Sequence, residues 1–217
     1  HIMMSFLMFG MIFIMVPRAS ASANRILEVL NTNPLIADPA TPAPLPEAKG
    51  VVEFDNVSFK FPESVEPTLC NISFKTKPGT VTAIIGSTGS GKSTIINLIP
   101  RLYDVSQGVI RIDGVDVRDY MQQDLRDKIG FVPQQAQLFS GTIRDNMLFG
   151  NDQATDEDIE KALEVAQAKH FVSRLEEGLN TYVSQGGKNF SGGQKQRLSI
   201  ARALVKKPEI YIFDDSF

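Results

Sequence analysis

The stretch Val81-Thr82-Ala83-Ile84-Ile85-Gly86-Ser87-Thr88-Gly89-Ser90-Gly91-Lys92-Ser93-Thr94 restricts this chain more than any other. Its opening run, Val81 to Ile85, is β-branched and apolar and reads as a buried strand. Gly86 to Ser93 then fits G-x-x-x-x-G-K-[ST], and Thr94 to Ile99 continues as a helix. Strand, loop and helix in that order are the context a phosphate-cradling loop needs. The glycines allow a turn tight enough to aim successive backbone N–H groups at phosphate oxygens, and the new helix adds its positive dipole end. Lys92 suits the β- and γ-phosphates, and the Ser93 hydroxyl suits Mg²⁺. An accidental Gly/Ser-rich turn would not meet every fixed position in that setting. Residues 86–94 are therefore read as a nucleotide site, with Gly86, Ser87, Thr88, Gly89, Ser90, Gly91, Lys92, Ser93 and Thr94 as its candidates.

At 217 residues and 42% hydrophobic, the chain can bury one sizeable core and still carry an appendage. A net charge of -3 gives no basic excess, which argues against nucleic acid as a main partner. The single cysteine, Cys70, excludes an internal disulfide and is compatible with a reducing compartment. No His or second Cys lies beside it in sequence, so it is expected to be buried packing.

The appendage is the uncharged run Ile2 to Val16, rich in Met, Phe and Ile. Fifteen helical residues cover about 22 Å, short of the roughly 30 Å hydrocarbon core. Ala19-Ser20-Ala21 resembles a signal-peptidase site, but the basic n-region is absent and Arg18 sits on the wrong side. A buried core helix would show a polar face, and this run offers only Ser5 and Gly10. The preferred reading is the end of a membrane-spanning helix that begins before residue 1, with Arg18 and Arg25 on its cytoplasmic side. Ala19 to Leu30 extends it as a helix-compatible segment. Pro34, Pro39, Pro42, Pro44 and Pro46 then mark residues 31–50 as an extended linker.

From Val51 the pattern is strand-like: Val51 to Phe54, then Val57 to Phe61, with Phe59 and Phe61 on one face. Either ring can stack on a purine, although each, taken alone, is better explained as core. Ile72 to Lys75 and Val109 to Ile112 read as further strands, the latter entering a turn at Asp113-Gly114. Ile129 to Val132 is another, stopped by Pro133, which leaves Gln134 on a loop. A glutamine there can hold Mg²⁺ or water beside a γ-phosphate; an exposed polar loop is the equal alternative. Residues 140–185 read as mostly helical, with Ile159, Leu163, Val165 and Ala166 on one face, and His170 as structural or exposed.

Ser191-Gly192-Gly193-Gln194 precedes a helix carrying Leu198, Ala201, Leu204 and Val205 at helical spacing. Serine and two glycines at a helix N-terminus can bind an anion, but an ordinary serine N-cap is the better explanation of that tetrapeptide alone. Ile210 to Asp215 is an apolar strand ending in two carboxylates. Asp214 suits a Mg²⁺-holding role, and Asp215 lies where a base for the attacking water is needed.

Taken in order, GSTGSGKS, VPQ, FSGGQ and IYIFDD resemble the nucleotide-binding domain of ATP-binding cassette (ABC) transporters. The helix–linker–cassette arrangement resembles exporter half-transporters of the multidrug and lipid-export type. The resemblance implies an α/β P-loop NTPase fold: a RecA-like core, an antiparallel β subdomain and a helical subdomain bearing the signature, preceded by a partial transmembrane helix. It divides the chain into 1–30, 31–50 and a cassette over 51–217. Phe61 matches the adenine-stacking aromatic, usually tyrosine, and Gln134 the Q-loop glutamine that contacts Mg²⁺. Lys92, Gln134 and Asp215 would carry catalysis; Ser93, Gln134 and Asp214 would hold Mg²⁺. Ser191, Gly192, Gly193 and Gln194 match the signature that clamps ATP bound to the opposing cassette. The implied partners are a second half-transporter, the transmembrane domain and membrane lipid, with the cassette on the cytoplasmic side of the cell membrane.

Two departures stand out. Asp215 replaces the consensus glutamate, and no switch histidine occurs, His1 and His170 being the only histidines. The chain is expected to be a fragment, incompetent as an ATPase or transporter by itself. Asp215 favours the slow-site half of a heterodimer and keeps open a regulatory subunit that binds ATP and hardly hydrolyses it. A soluble cassette protein of DNA repair or translation leaves residues 2–16 unexplained, and a GTPase would need an absent Asn-Lys-x-Asp motif.

Overall fold

The helix that holds the apolar N-terminal run does not stop at Val16. In the computed structural model the run is one helix with the segment after it, α1, Ile2–Leu30, 29 residues long. Pro17 lies inside it and contributes no N–H to the ladder, yet the helix runs through. No residue of α1 is buried, and it is long and apolar enough to cross a membrane. The structure describes residues 1–47 and 49–215. They belong to two units, His1–Ala37 and Asp38–Phe217. Ala48, Ser216 and Phe217, which the expected linker and cassette include, lie outside the described residues.

In the second unit, β1 (Val52–Phe59) buries Val52, Phe54, Val57 and Phe59. The three-residue step from Phe54 to Val57 breaks strict alternation. Asn56, at φ 49°, takes up the extra residue as a bulge in the pairing. β1 lies between β2 (Leu69–Lys75) and β3 (Gln107–Ile112), and β4 (Val115–Asp116) completes an antiparallel sheet of order β2-β1-β3-β4. Asp113 and Gly114, both at positive φ, make the β3–β4 hairpin turn. Cys70, expected to be buried, is exposed on β2. The pleat sends Leu69 inward, so its neighbour faces out.

The run Val81–Ile85 forms no strand among the described residues, and Val81 and Ile85 are 98% and 92% exposed. β-propensity expresses packing and pairing with neighbours, and no described strand pairs with this one. The loop it feeds still leads into α2 (Lys92–Leu98). α2 buries Ile95, Ile96 and Leu98 against the same core as the β1 face, together with Leu125 of α3 (Gln122–Asp127).

β5 (Ile129–Val132) and β8 (Ile210–Phe213) pair in parallel, Ile129 opposite Ile210 and Val132 opposite Phe213. Both therefore end at the same edge. Their entry is tied by Lys128, whose ammonium donates to both Glu209 carboxylate oxygens at 2.8 and 2.9 Å and lies 3.7 Å from buried Asp113.

The region 140–185 carries α4 (Ile143–Leu148), α5 (Asp156–Val165), α6 (Lys169–Val172) and a two-strand ladder, β6 (Gly141–Thr142) with β7 (Tyr182–Val183). With α7 (Gly192–Val205) these build a second core around Ile143, Met147, Ile159, Leu163 and Leu198. Val165, expected on the apolar face of α5, is exposed, as is His170. Thr142, Thr155 and Ser191 cap α4, α5 and α7 through reciprocal capping boxes. Asp158, in the α5 box, also accepts from Lys207 at 2.6 Å, and that hydrogen bond, together with those from the Thr155 N–H and hydroxyl, lowers its pKa to about 2.

Among its described residues the proline-rich segment has no helix or strand. Part of it belongs to the second unit: the Asp38 carboxylate accepts from the Gln122 N–H at 2.8 Å, and the Ala43 N–H donates to the Asp119 carbonyl at 2.9 Å.

Candidate nucleotide site

Gly91 caps α2 in the left-handed region, at φ 88°. A Cβ there would lie 2.7 Å from Leu69 Cδ2, so the position needs glycine for both conformation and space. The loop from Gly86 to Ser90 curls in front of this helix. Lys92 folds back over it, its ammonium donating to the Gly86 and Ser87 carbonyls at 2.9 and 2.8 Å. That holds one positive charge at the mouth of a glycine-rich loop, as a polyphosphate requires.

Ser93 follows on α2. Its hydroxyl donates to Asp214 Oδ1 at 3.3 Å, across 121 residues of sequence. Asp214 stands at the end of β8, where its N–H donates to the Val132 carbonyl at 3.0 Å. Among the described residues no cluster of three or more His, Cys, Asp and Glu could hold a metal. The Ser93–Asp214 pair instead offers two hard oxygens, which fits Mg²⁺: it takes one or two protein ligands and fills its octahedron with water and phosphate.

Because β5 and β8 are parallel and in register, the loops after them meet. Gln134 and Asp215 both line an open cleft of about 670 Å³. Asp215 adopts φ 47°, a left-handed conformation that aspartate tolerates better than most residues. Gly192, Gly193, Lys195 and Gln196 of α7 line the same cleft, whereas residues 86–93 do not. Sequence reasoning missed Lys195 and Gln196; the signal was their helical spacing from Gly192, which returns Gln196 to the same side of α7.

At the signature, the Ser191 hydroxyl accepts from the Gln194 N–H at 3.3 Å, and the Gln194 side chain accepts from the Ser191 N–H at 2.9 Å. Within this chain the tetrapeptide is thus an N-cap, the plainer of the two sequence readings. Gly192 and Gly193 are exposed, and a Cβ on either would meet nothing within 4 Å.

Phe61 lies just beyond β1 and is half-buried. It meets Phe59 edge-on, with centroids 4.7 Å apart and planes at 82°. Tyr103, which sequence reasoning did not single out, meets Phe61 at 5.3 Å and 86°.

Residues 69–217 match the family model described as ABC transporter. The chain belongs to the ABC transporter family. It is 49% identical, over its whole length, to an uncharacterised ABC transporter ATP-binding protein of Mycobacterium tuberculosis, of which it covers 38%. It is 46% identical over 93% of its length to an ATP-dependent lipid A-core flippase of Xanthomonas euvesicatoria, covering 34% of that protein. A bacterial Atm1-family ABC exporter solved with ATP bound superposes with a TM-score of 0.88 at 37% identity, over 96% of this chain and 36% of that one. The chain thus has the ABC form of the P-loop NTPase fold and spans little more than a third of the proteins it matches.

Proposed function

We propose that this ABC chain is the ATP-binding and ATP-hydrolysing part of an exporter subunit, coupling nucleotide binding and hydrolysis to export across a membrane. The observation that carries the reading is the meeting of Ser93 with Asp214, which joins the phosphate loop to the carboxylate at the end of β8. Lys92 binds the β- and γ-phosphate oxygens, with the N–H groups of residues 86–91 around them. Ser93, Asp214 and Gln134 would hold Mg²⁺, and the charge neutralisation it would supply falls on those phosphate oxygens. Asp215 accepts the proton of the attacking water, and Phe61 stacks on the adenine.

Gly192 and Gly193 support a second cassette as partner. Glycine in the middle of a helix costs roughly 0.5–1 kcal/mol relative to alanine, and among the described residues no atom lies within 4 Å of a Cβ built on either. A close-packed body from outside would need both to be glycine. The apolar length of α1 supports placement in a membrane, and Arg18 and Arg25 after the apolar run support a cytoplasmic cassette. Recovery in the soluble fraction without detergent overturns that placement.

A regulatory subunit that binds ATP and scarcely hydrolyses it is the second reading, favoured by the short side chain of Asp215. The experiment that tests nucleotide binding is titration calorimetry with Mg-ATP on wild type and Lys92→Ala. Loss of a charge-assisted phosphate contact weakens binding about 10- to 100-fold; unchanged affinity overturns the assignment.

A further inference from the structure

Phe61 is held by two rings. Phe59 is buried at 3% exposure and meets it edge-on, and Tyr103 meets it edge-on from another side. Phe59 and Tyr103 lie 5.6 Å apart, which closes a triangle. Two perpendicular contacts leave a planar ring little freedom to rotate, so the direction of the remaining Phe61 face is set by both neighbours.

Tyr103 is itself anchored. It lies inside the pair formed by Arg101 and Asp104, whose guanidinium and carboxylate make hydrogen bonds at 2.8 and 3.2 Å, with Arg101 6% exposed. Upstream, the Arg101 and Leu102 N–H groups close the C-terminus of α2 by donating to the Leu98 and Asn97 carbonyls. Downstream, the Ser106 N–H donates to the Ser58 carbonyl, and the Ser106 hydroxyl accepts from the Lys60 N–H, next to Phe61. The loop carrying Tyr103 therefore bridges the helix that bears Lys92 and Ser93 and the strand end that bears Phe61.

We infer that Tyr103 is a positioning residue for the nucleobase: its ring edge fixes the plane of Phe61 relative to α2, so that base and polyphosphate are gripped in one geometry. The inference rests on the proposed adenine role of Phe61. Tyr103 acts through Phe61, so the phosphate grip does not depend on it. The phenol oxygen has no part in this, because the edge of any six-membered ring serves.

The test compares Mg-ATP with Mg-tripolyphosphate, which has no base, by titration calorimetry on the detergent-solubilised chain. Tyr103→Ala should weaken ATP about three- to tenfold, the worth of an aromatic pair, and leave tripolyphosphate unchanged. Tyr103→Leu, which keeps apolar bulk without a ring edge, should show the same split, and Tyr103→Phe should bind both ligands as wild type does. Equal weakening of both ligands means general damage and overturns the inference. Unchanged ATP affinity in both Tyr103→Ala and Tyr103→Leu also overturns it, as does a Tyr103→Phe variant as weak as Tyr103→Ala. Phe61→Ala separates the two levels: if it leaves ATP affinity unchanged, the adenine assignment itself fails.

Discussion

Aspartate at position 215 keeps a carboxylate but is one methylene shorter than glutamate. Its oxygens stop about 1 Å or more from where a glutamate's would reach. A misplacement of that size can slow a reaction on the order of a hundredfold, about 2.7 kcal/mol of barrier. Asp215 sits at φ 47° on the rim of an open cleft. Binding draws on other residues: Lys92 at the loop carbonyls and Ser93 with Asp214. Asp215→Glu in the full-length protein should therefore raise the turnover of this site by one to two orders of magnitude and leave ATP affinity within about twofold. Single-turnover hydrolysis measured beside calorimetric binding checks it; an unchanged rate would show that aspartate suffices here.

Among the elements, α7 joins a structural cap to an unexplained expense. Ser191 and Gln194 satisfy two backbone donors at its start, as capping boxes do, but the next two residues are glycine with open space around them. Gly192→Ala and Gly193→Ala should each stabilise the isolated chain by about 0.5 kcal/mol, read as a rise in thermal midpoint, while lowering ATPase activity in the assembled transporter. A fall in the midpoint would mean that the chain itself requires these glycines. The same helix shows what could be read from sequence alone. Its cap, its buried Leu198 and Ala201, and the position of residues 214 and 215 at the end of a strand follow local rules, and the structure has them there. Val81–Ile85 departs from its local pattern, because strand formation depends on a neighbour that local sequence does not reveal. The bulge at Asn56 and the outward turn of Cys70 likewise depend on register against distant partners, whereas Val165 falls off the Ile159–Leu163–Ala166 face of α5 by helical geometry alone. Tyr103 escaped for a related reason: only the tertiary structure brings it to Phe61, and no motif marks it.

At the scale of the whole molecule, Asp215 as the proposed slow base and residues 191–194 as the proposed signature point in different directions. The Ser93–Asp214 pair is assembled, so this chain's own site should hold ATP. Asp215 should hydrolyse it slowly. On the proposed reading Ser191, Gly192, Gly193 and Gln194 act as the signature, so the chain would still complete a site whose phosphate loop belongs to another subunit. A homodimer would repeat the proposed slow base at both sites and leave no fast site for the signature to serve. A heterodimer with a chain carrying the usual glutamate uses both properties, giving one retentive and one active site. The expected partner is therefore a different half-transporter. Co-expression with such a partner should give a mixed dimer in which Ser191→Arg, made in this chain, suppresses most of the hydrolysis, because it blocks the partner's active site. Lys92→Ala in this chain should remove less. The full-length protein purified alone should hydrolyse ATP slowly, with little stimulation by transported substrate. A stable homodimer with brisk, transport-coupled ATPase activity would overturn the argument and establish Asp215 as an adequate base.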